Sequence, residues 1–534
     1  MKQKLLTFGM LVGTMLLSSL SANAWTFDFE TLTGGPESIK EYEGKYSPVS
    51  TPSAFGTDGT IYQTGLYDDM VVIGDFILEN IATSAYIAAI DPTTQTAKWA
   101  IGLRGASHIT QILADDSYVY VAGTYADDVI FGSNDDNEQT IHGTELSHDY
   151  ANTFVAKYTT AGVLVSVLPI IPVLADAETY EDKDLSVTPT ALALRAGKLY
   201  LSFSYKGGYK VGTHTINGTV QSTQSKTTCI CLGVLAIPTD NFTNAVKVLD
   251  VKGIAATCNA GHGPRSICLT ATENSVEIAT FLTGKCDYDF AGWTGSSKVR
   301  YEYKYSATSD EAGMVFVRLT DAGHTEYKAP AASADNFVAS YTRNTIRNMY
   351  VEGKNLYLSG NLGTALPLKP TLQSLLFTDQ FAACVNLETY ETNWAVTTGA
   401  KNEDMPTIDD KYRETIGAAL SNGNYVVIGT TNFSCGMGGT KTDFDAKAAV
   451  GSDYDVCLGV SANSSALVVA TKSTNGSQLS AGEPMPSRLD TPETEVEAVP
   501  QAIFSIDGSQ RPTLQQGVNI IKYSNGAVKK QILK

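Results

Sequence analysis

A short apolar pattern recurs six times along the chain, and an internal repeat of this spacing constrains the fold more than any other feature. It is an apolar pair followed in most copies by a small or polar residue and another apolar one. The copies are Ile87-Ala88-Ala89-Ile90, Phe154-Val155-Ala156-Lys157, Cys231-Leu232-Gly233-Val234, Phe316-Val317-Arg318-Leu319, Cys384-Val385-Asn386-Leu387 and Cys457-Leu458-Gly459-Val460. Their first residues are 67, 77, 85, 68 and 73 positions apart. A spacing that varies without breaking is that of one unit carrying insertions of different length in its loops.

Each unit reads as β. Upstream of every copy lies a second apolar run: Val71 to Phe76, Val119 to Tyr125, Leu199 to Tyr205, Val276 to Phe281, Leu356 to Leu362 and Tyr425 to Thr431. Most carry a Gly or another small residue, as a strand crossing a crowded core requires. A further strand precedes five of these, ending at Asp116, Glu273 and Gly423 in the clearest cases, and a fourth follows the repeated pattern, as in Lys98 to Leu103 or Val163 to Ile170. Helical apolar spacing over ten or more residues is almost absent. Four antiparallel strands per unit make the blade of a β-propeller, so six blades are expected over 25–472. A seventh, degenerate blade from 25–60 is the alternative.

The ends carry different information. Residues 1–24 place Lys2 and Lys4 before an apolar run from Leu5 to Leu17 and end in Ala22-Asn23-Ala24, the pattern of a secretory signal peptide cleaved between Ala24 and Trp25. The run is too short to span a membrane, and no later stretch approaches 18 apolar residues. The mature chain is therefore expected outside the cytoplasm, at the cell surface or beyond it, with the periplasm as alternative, and without a membrane span. Residues 473–499 are polar and proline-bearing, as a linker would be. Residues 500–534 form a short β tail in which Ser524-Asn525-Gly526-Ala527 suits a hairpin turn. The net charge of -18 hides a division: the tail is +4 and residues 25–499 are about -24. An acidic body of this size repels a phosphate backbone, which excludes a nucleic-acid binder of the usual kind.

Two resemblances follow from these residues. The segment Tyr125 to Gly162, with its Gly-bearing strand before and Phe154-Val155-Ala156-Lys157-Tyr158 within, resembles the bacterial β-propeller repeat family known as SBBP. The echo covers most of 60–470, with Phe203 and Thr280 standing in the third and fourth repeats where others carry Gly. It implies a secreted, non-enzymatic propeller. The tail, with Ser505-Ile506-Asp507-Gly508, Gly517-Val518-Asn519-Ile520-Ile521 and Lys529-Lys530 before Ile532-Leu533, resembles the C-terminal sorting tails of the type IX secretion pathway. That resemblance implies an export machinery as partner. A small stabilising hairpin is the simpler reading of the same residues.

Eight cysteines in an exported chain suggest disulfides. Cys231, Cys384 and Cys457, however, fall in the repeated pattern, where Ile87, Phe154 and Phe316 stand in other copies, and so read as small buried hydrophobes. Equivalent positions on different blades also lie too far apart to bridge. Cys268 reads as core as well. Cys229, Cys258, Cys286 and Cys435 remain, with Cys258 to Cys268 or Cys258 to Cys286 as candidate bridges. Cys258, His262 and Cys268 lack a fourth ligand for zinc. The acidic pairs Asp68-Asp69, Asp115-Asp116, Asp127-Asp128, Asp135-Asp136 and Asp409-Asp410 offer oxygen ligands for Ca2+, but no calcium-loop motif supports it, so no cofactor is expected. No nucleophile elbow, phosphate loop or dinucleotide fingerprint is present, and no catalytic residue is assigned.

One group of side chains suits ligand binding. Trp293 precedes Tyr301, Tyr303 and Tyr305, and period-two alternation places the three tyrosines on one strand face. Such rings stack on a sugar or peptide while keeping a polar handle; packing on their own blade is the plainer alternative. The function expected is that of a non-catalytic binding or scaffold propeller for a protein or glycan, the alternative being a propeller enzyme acting on polysaccharide.

Overall fold

The computed structural model describes most of residues 52–397 and, beyond them, the strands between Arg413 and Leu533. The chain divides into two compact units, Met1–Glu483 and Pro484–Lys534. Apart from one short 3-10 turn at Phe242–Asn244, the described secondary structure is all β.

The first unit repeats one motif. Its first blade has β1 (Ser53–Phe55), β2 (Ile61–Tyr67), β3 (Met70–Ile73), β4 (Phe76–Glu79), β5 (Ser84–Ile90) and β6 (Ala97–Gly102). Of these, β1-β2-β5-β6 pair in that order as an antiparallel meander, and β3-β4 is a separate hairpin. The second blade has β7 (Ser107–Ala114), β8 (Tyr118–Tyr125), the hairpin β9 (Val129–Phe131) and β10 (Gln139–Ile141), then β11 (Asn152–Thr159) and β12 (Leu164–Val173). The third has β13 (Ser186–Arg195), β14 (Lys198–Lys206), β15 (Gly208–Val211), β16 (His214–Asn217), β17 (Ile230–Pro238) and β18 (Val246–Gly253). The fourth has β19 (Gly263–Ala271), β20 (Val276–Thr283), β21 (Lys285–Asp289), β22 (Lys298–Glu302), β23 (Ser309–Thr320) and β24 (Gly323–Lys328), with β25 (Ala332–Asp335) beside β23. The fifth has β26 (Thr345–Glu352), β27 (Asn355–Leu362), β28 (Ala365–Leu366), β29 (Leu372–Gln373), β30 (Asp379–Asn386) and β31 (Thr392–Thr397). The sixth has β32 (Arg413–Ser421), β33 (Asn424–Thr431), β34 (Gly436–Met437), β35 (Thr440–Lys441), β36 (Val456–Ser461) and β37 (Leu467–Lys472), and takes a fifth strand, β38 (Gln478–Ala481).

Successive first strands β1, β7, β13, β19, β26 and β32 lie each beside the next. Four-stranded antiparallel meanders arranged in this way are the blades of a β-propeller. The core lies between blades. Val119 and Val121 of β8 pack with Ile87, Ile101 and Leu103 of the first blade, while Tyr120 and Ala122 of the same strand pack with Leu199, Leu201 and Phe203 of the third. The third, fourth and fifth blades share one apolar cluster. Both faces of a middle blade are thus buried, and its strands read as nearly continuous apolar runs.

Two corrections to the repeat reading follow. In the first blade the second strand is Ile61–Tyr67, and Val71 to Phe76 belongs to the inserted hairpin. Gln63, Thr64 and Gly65 disguise the true strand. Gly65 is needed there, since a Cβ would collide with the Tyr86 ring. Secondly, the repeated pattern marks the third strand but not one position along it. Every first strand from the second blade to the sixth carries a β-bulge, between Ile109 and Gln111, Pro189 and Ala191, Pro264 and Ser266, Ile346 and Asn348, and Thr415 and Gly417. Aligned on it, the second-strand residue is Gly123, Phe203, Leu282, Gly360 and Gly429, so Leu282 rather than Thr280 is the fourth blade's counterpart. Its third-strand neighbour is Phe154, Gly233, Gly313, Phe381 and Val456. Cys231, Phe316 and Cys384 are offset from this position. A strand buried on both faces tolerates apolar residues everywhere, so a four-residue pattern cannot fix its register.

The alignment exposes a size exchange. In the second blade a Cβ on Gly123 would fall 2.7 Å from Phe154 Cζ; in the third the ring has moved to the other strand, and a Cβ on Gly233 would fall 2.5 Å from Phe203 Cζ. One ring and one glycine fill the same volume from opposite strands.

Residues 25–51, which bear on a seventh blade, lie outside the described residues; Ser53–Phe55 serve as the first strand of the first blade. Within the stretch expected to be linker, Gln478–Ala481 are a strand. The second unit is a four-stranded sheet of β39 (Pro500–Ser505), β40 (Gln510–Arg511), β41 (Gly517–Tyr523) and β42 (Val528–Leu533), in the order β40-β39-β41-β42. The turn at 524–527 lies outside the described residues.

Candidate binding face

In an antiparallel meander the turns joining strands one to two and three to four fall at one end of the blade, and all other connections fall at the other. In the first unit the former are two to seven residues long, whereas the connections from strand two to strand three run from 16 to 26. Repeat proteins carry their per-repeat insertions on one face, and that face commonly does the binding. All six inserted hairpins lie at this end.

The short-turn face is a set of inter-blade bolts, each sending a donor to the turn between strands three and four of the next blade. Trp99 Nε1 donates to Thr160 O at 2.9 Å, and Lys157 Nζ to Thr239 O at 2.8 Å. Arg195 holds Asp321 with two bonds of 3.0 and 2.9 Å and donates from Nε to Glu273 O. Arg318 donates to Leu387 O. These bonds set the local titrations. The Arg195 bonds and charge hold the Asp321 carboxyl below its ordinary value, and burial depresses Lys157, which also lies 3.5 Å from the Tyr118 ring centre. Glu277, 1% exposed, accepts from Arg318 Nε at 2.8 Å, Ser275 Oγ at 2.6 Å and the Tyr390 hydroxyl. Toward the long-connection end, Asp250, fully buried, accepts from Tyr205 OH at 2.6 Å and lies 2.8 Å from Lys252 Nζ. Burial, with Cys231 and Asp250 nearby, pushes the Tyr205 phenol well above its ordinary range. These buried charges are thus engaged in structural contacts. His108 differs: its Nε2 is shielded without a partner, and burial lowers it to about 4, so the ring is neutral at pH 7.

On the long-connection face, the second blade shows a groove of about 480 Å3 between Thr140, Ile141 and His142 and the row Val167, Pro169 and Ile171 of β12. The same row continues into Val165 and Val163, 42% and 44% exposed. His142 Nδ1 lies 3.1 Å from an Asp128 carboxylate oxygen, and Arg104 pairs with Glu138 at the neighbouring seam. The sequence reading missed this groove because its walls belong to two elements, β10 and β12, with 22 residues between them; the alternating Val163, Val165, Val167 was the available signal.

Tyr301 lies in β22 opposite Cys286, at the outer edge of a sheet that the fourth blade's hairpin extends from the third blade. Trp293, Tyr303 and Tyr305 lie outside the described residues, as do Ala24, Trp25, Cys229, Cys258, His262 and Cys435. Cys231, Cys268 and Cys384 are buried free thiols, which removes the Cys258 to Cys268 bridge. Among the described residues no three His, Cys, Asp or Glu side chains group as metal ligands, and no helix is long and apolar enough to cross a membrane. Asp115 has a turn role instead, accepting from Ser117 N at 2.8 Å and Tyr118 N at 2.7 Å.

The class defined by these blades is that of the all-β propellers. No family model matches the chain, and no curated protein matches it. Among solved structures it is similar to the Dos1 propeller, at 9% identity over 74% of this chain and 92% of that one with a TM-score of 0.29. It is also similar to the quinohemoprotein alcohol dehydrogenase of Comamonas testosteroni, at 10% identity over 70% and 71% with a TM-score of 0.25.

Proposed function

We propose that this chain is an exported, non-catalytic propeller that binds a protein or glycan at the cell surface through its long-connection face. The observation that carries the reading is the asymmetry between two-to-seven-residue turns at one end of the blades and 16-to-26-residue connections at the other. A rigid scaffold with its variable segments on one side is built to present a surface. The aromatic segment Trp293, Tyr301, Tyr303 and Tyr305 lies within one of these connections and supplies stacking rings. The signal at 1–24 gives entry to export, and the basic tail from residue 500 is its second address.

The test is a glycan array and a pulldown with the chain from Trp25 onward. Saturable binding that is lost in the double variant Trp293→Ala, Tyr303→Ala, with unchanged thermal unfolding, is the expected result. Turnover of a bound polysaccharide, or binding indifferent to both substitutions, would refute it. Deleting 503–534 should retain the protein inside the cell; unchanged surface display would refute the sorting role.

A further inference from the structure

The inserted hairpins follow a rule, and the last blade departs from it. Each hairpin from the second blade to the sixth reaches back to the preceding blade. In the third blade, β15 pairs with the last four residues of β12, from Ile170↔Val211 to Val173↔Gly208. In the fourth, β21 pairs with the last four residues of β18, from Asp250↔Asp289 to Gly253↔Cys286. In the second, Ile130 of β9 exchanges two backbone bonds of 2.9 and 3.1 Å with Arg104, just past β6. In the fifth, β28 lies beside β23 and β25, and in the sixth β34 lies beside β31.

The hairpin of the first blade has the same build. β3-β4 has two four-residue strands joined by two residues of which the first is Gly74 at φ +60°, and β15-β16 has two four-residue strands joined by two residues of which the first is Gly212 at φ +54°. The blade that would precede it around the propeller is the sixth, whose fourth strand is β37. There the corresponding edge is already filled: β38 pairs with the last four residues of β37, from Val469↔Ala481 to Lys472↔Gln478. Among the described residues the first-blade hairpin pairs only with itself; it lies against its own β6 and leaves Ile77 63% and Met70 40% exposed.

We infer that β38 is a built-in occupant of a strand-addition edge made for the first-blade hairpin, and that displacing β38 lets β3 take its place on β37 in the register Val469↔Ile73 to Lys472↔Met70. The edge then works as a switch: with β38 in place the first-blade hairpin stays on its own blade, and with β38 removed the hairpin joins the last blade to the first and buries Met70 and Ile77. β38 ends two residues before the second unit begins, so a pull on that unit acts directly on this strand.

The test uses the full mature chain. Adjacent residues of an antiparallel strand alternate in which one donates to a given partner, so Leu479→Pro with Ser480→Pro removes a donor to β37 whichever faces it. Cysteines placed at Val72 and Ala470 should then form a mapped disulfide, since the inferred register brings their Cα atoms within the roughly 7 Å that a bridge allows. With β38 intact that disulfide should be absent, and cysteines at Ala470 and Ser480 should bridge instead. Amide exchange at Val71–Ile73 should slow by about tenfold or more in the proline variant, while β12 and β15 keep their protection as a control for folding. No Val72–Ala470 disulfide in the proline variant, a disulfide found only between two copies, or equal bridging with β38 intact would each overturn the inference.

Discussion

Arg318→Met tests whether the buried charges serve the joints between blades. Glu277, at 1% exposure, takes its cation from Arg318 Nε at 2.8 Å, and Arg318 crosses to the fifth blade at Leu387 O and over the Tyr390 ring, 5.4 Å from its centre. Methionine keeps the stem and removes every one of these bonds. Stripping one partner from a buried ion pair costs about 3–5 kcal/mol. The Arg318 side chain is 23% exposed, which argues for the lower end, about 3 kcal/mol, and loss of the ring contact adds about 0.5–1 kcal/mol. An unfolding entropy of about 2.1 cal/mol/K per residue over the roughly 460 residues from Trp25 to the end of the first unit gives about 1 kcal/mol per degree, hence a Tm drop of about 3–4 °C. Circular dichroism melts of the chain from Trp25 onward read this directly. Glu277→Gln removes the stranded charge, its amide oxygen accepting from one of the Ser275 and Tyr390 hydroxyls and its N–H donating to the other, so the double variant should recover about 1 kcal/mol or more relative to additivity. Strict additivity, or an Arg318→Met melt within about half a degree of the parent, would refute the account.

Three further outcomes follow. Because His108 is held near 4 in the folded chain against an ordinary 6.5, the unfolded chain binds more protons between those values; stability should be complete above pH 6.5 and fall as pH drops toward 4, and His108→Gln should flatten that limb of a urea-melt series. Phe203→Gly should cost about 3–5 kcal/mol and Gly233→Phe about 1–3 kcal/mol, yet together they recreate the second blade's Gly123 and Phe154 arrangement and should melt well above the sum of the two losses. Gly162→Val should destabilise by more than the about 1–2 kcal/mol of a left-handed backbone, since φ is +84° and the new Cβ would fall 2.9 Å from Trp99 Cδ2; a neutral melt would deny the turn its role in the first bolt.

What could be read from the sequence, and what could not, divides by the range of the interaction. Strand identity is local, and Val119 to Tyr125, Leu199 to Tyr205 and Leu356 to Leu362 announce themselves by apolar spacing because both their faces are buried. The same double burial erases register: nothing local distinguishes Phe154, which sits over Gly123, from Phe316, which lies three residues past the equivalent position and stacks on Tyr390 of the next blade. The size exchange between Phe154/Gly123 and Phe203/Gly233 is a cross-strand property, so a glycine expected at 203 is found at 233 instead. The bolts were illegible for the same reason, since a side chain such as Lys157 finishes on a turn carbonyl 82 residues away. Trp293, Tyr301, Tyr303 and Tyr305 stay a reading of sequence, with only Tyr301 placed, on an edge strand that one blade lends to another. That loan recasts the long connections: a hairpin such as β21-β22 both stitches a seam and carries the segment offered for binding. A ligand engaging it would therefore press on the joint between the third and fourth blades, and binding should raise the amide protection of β18 along with that of the loop.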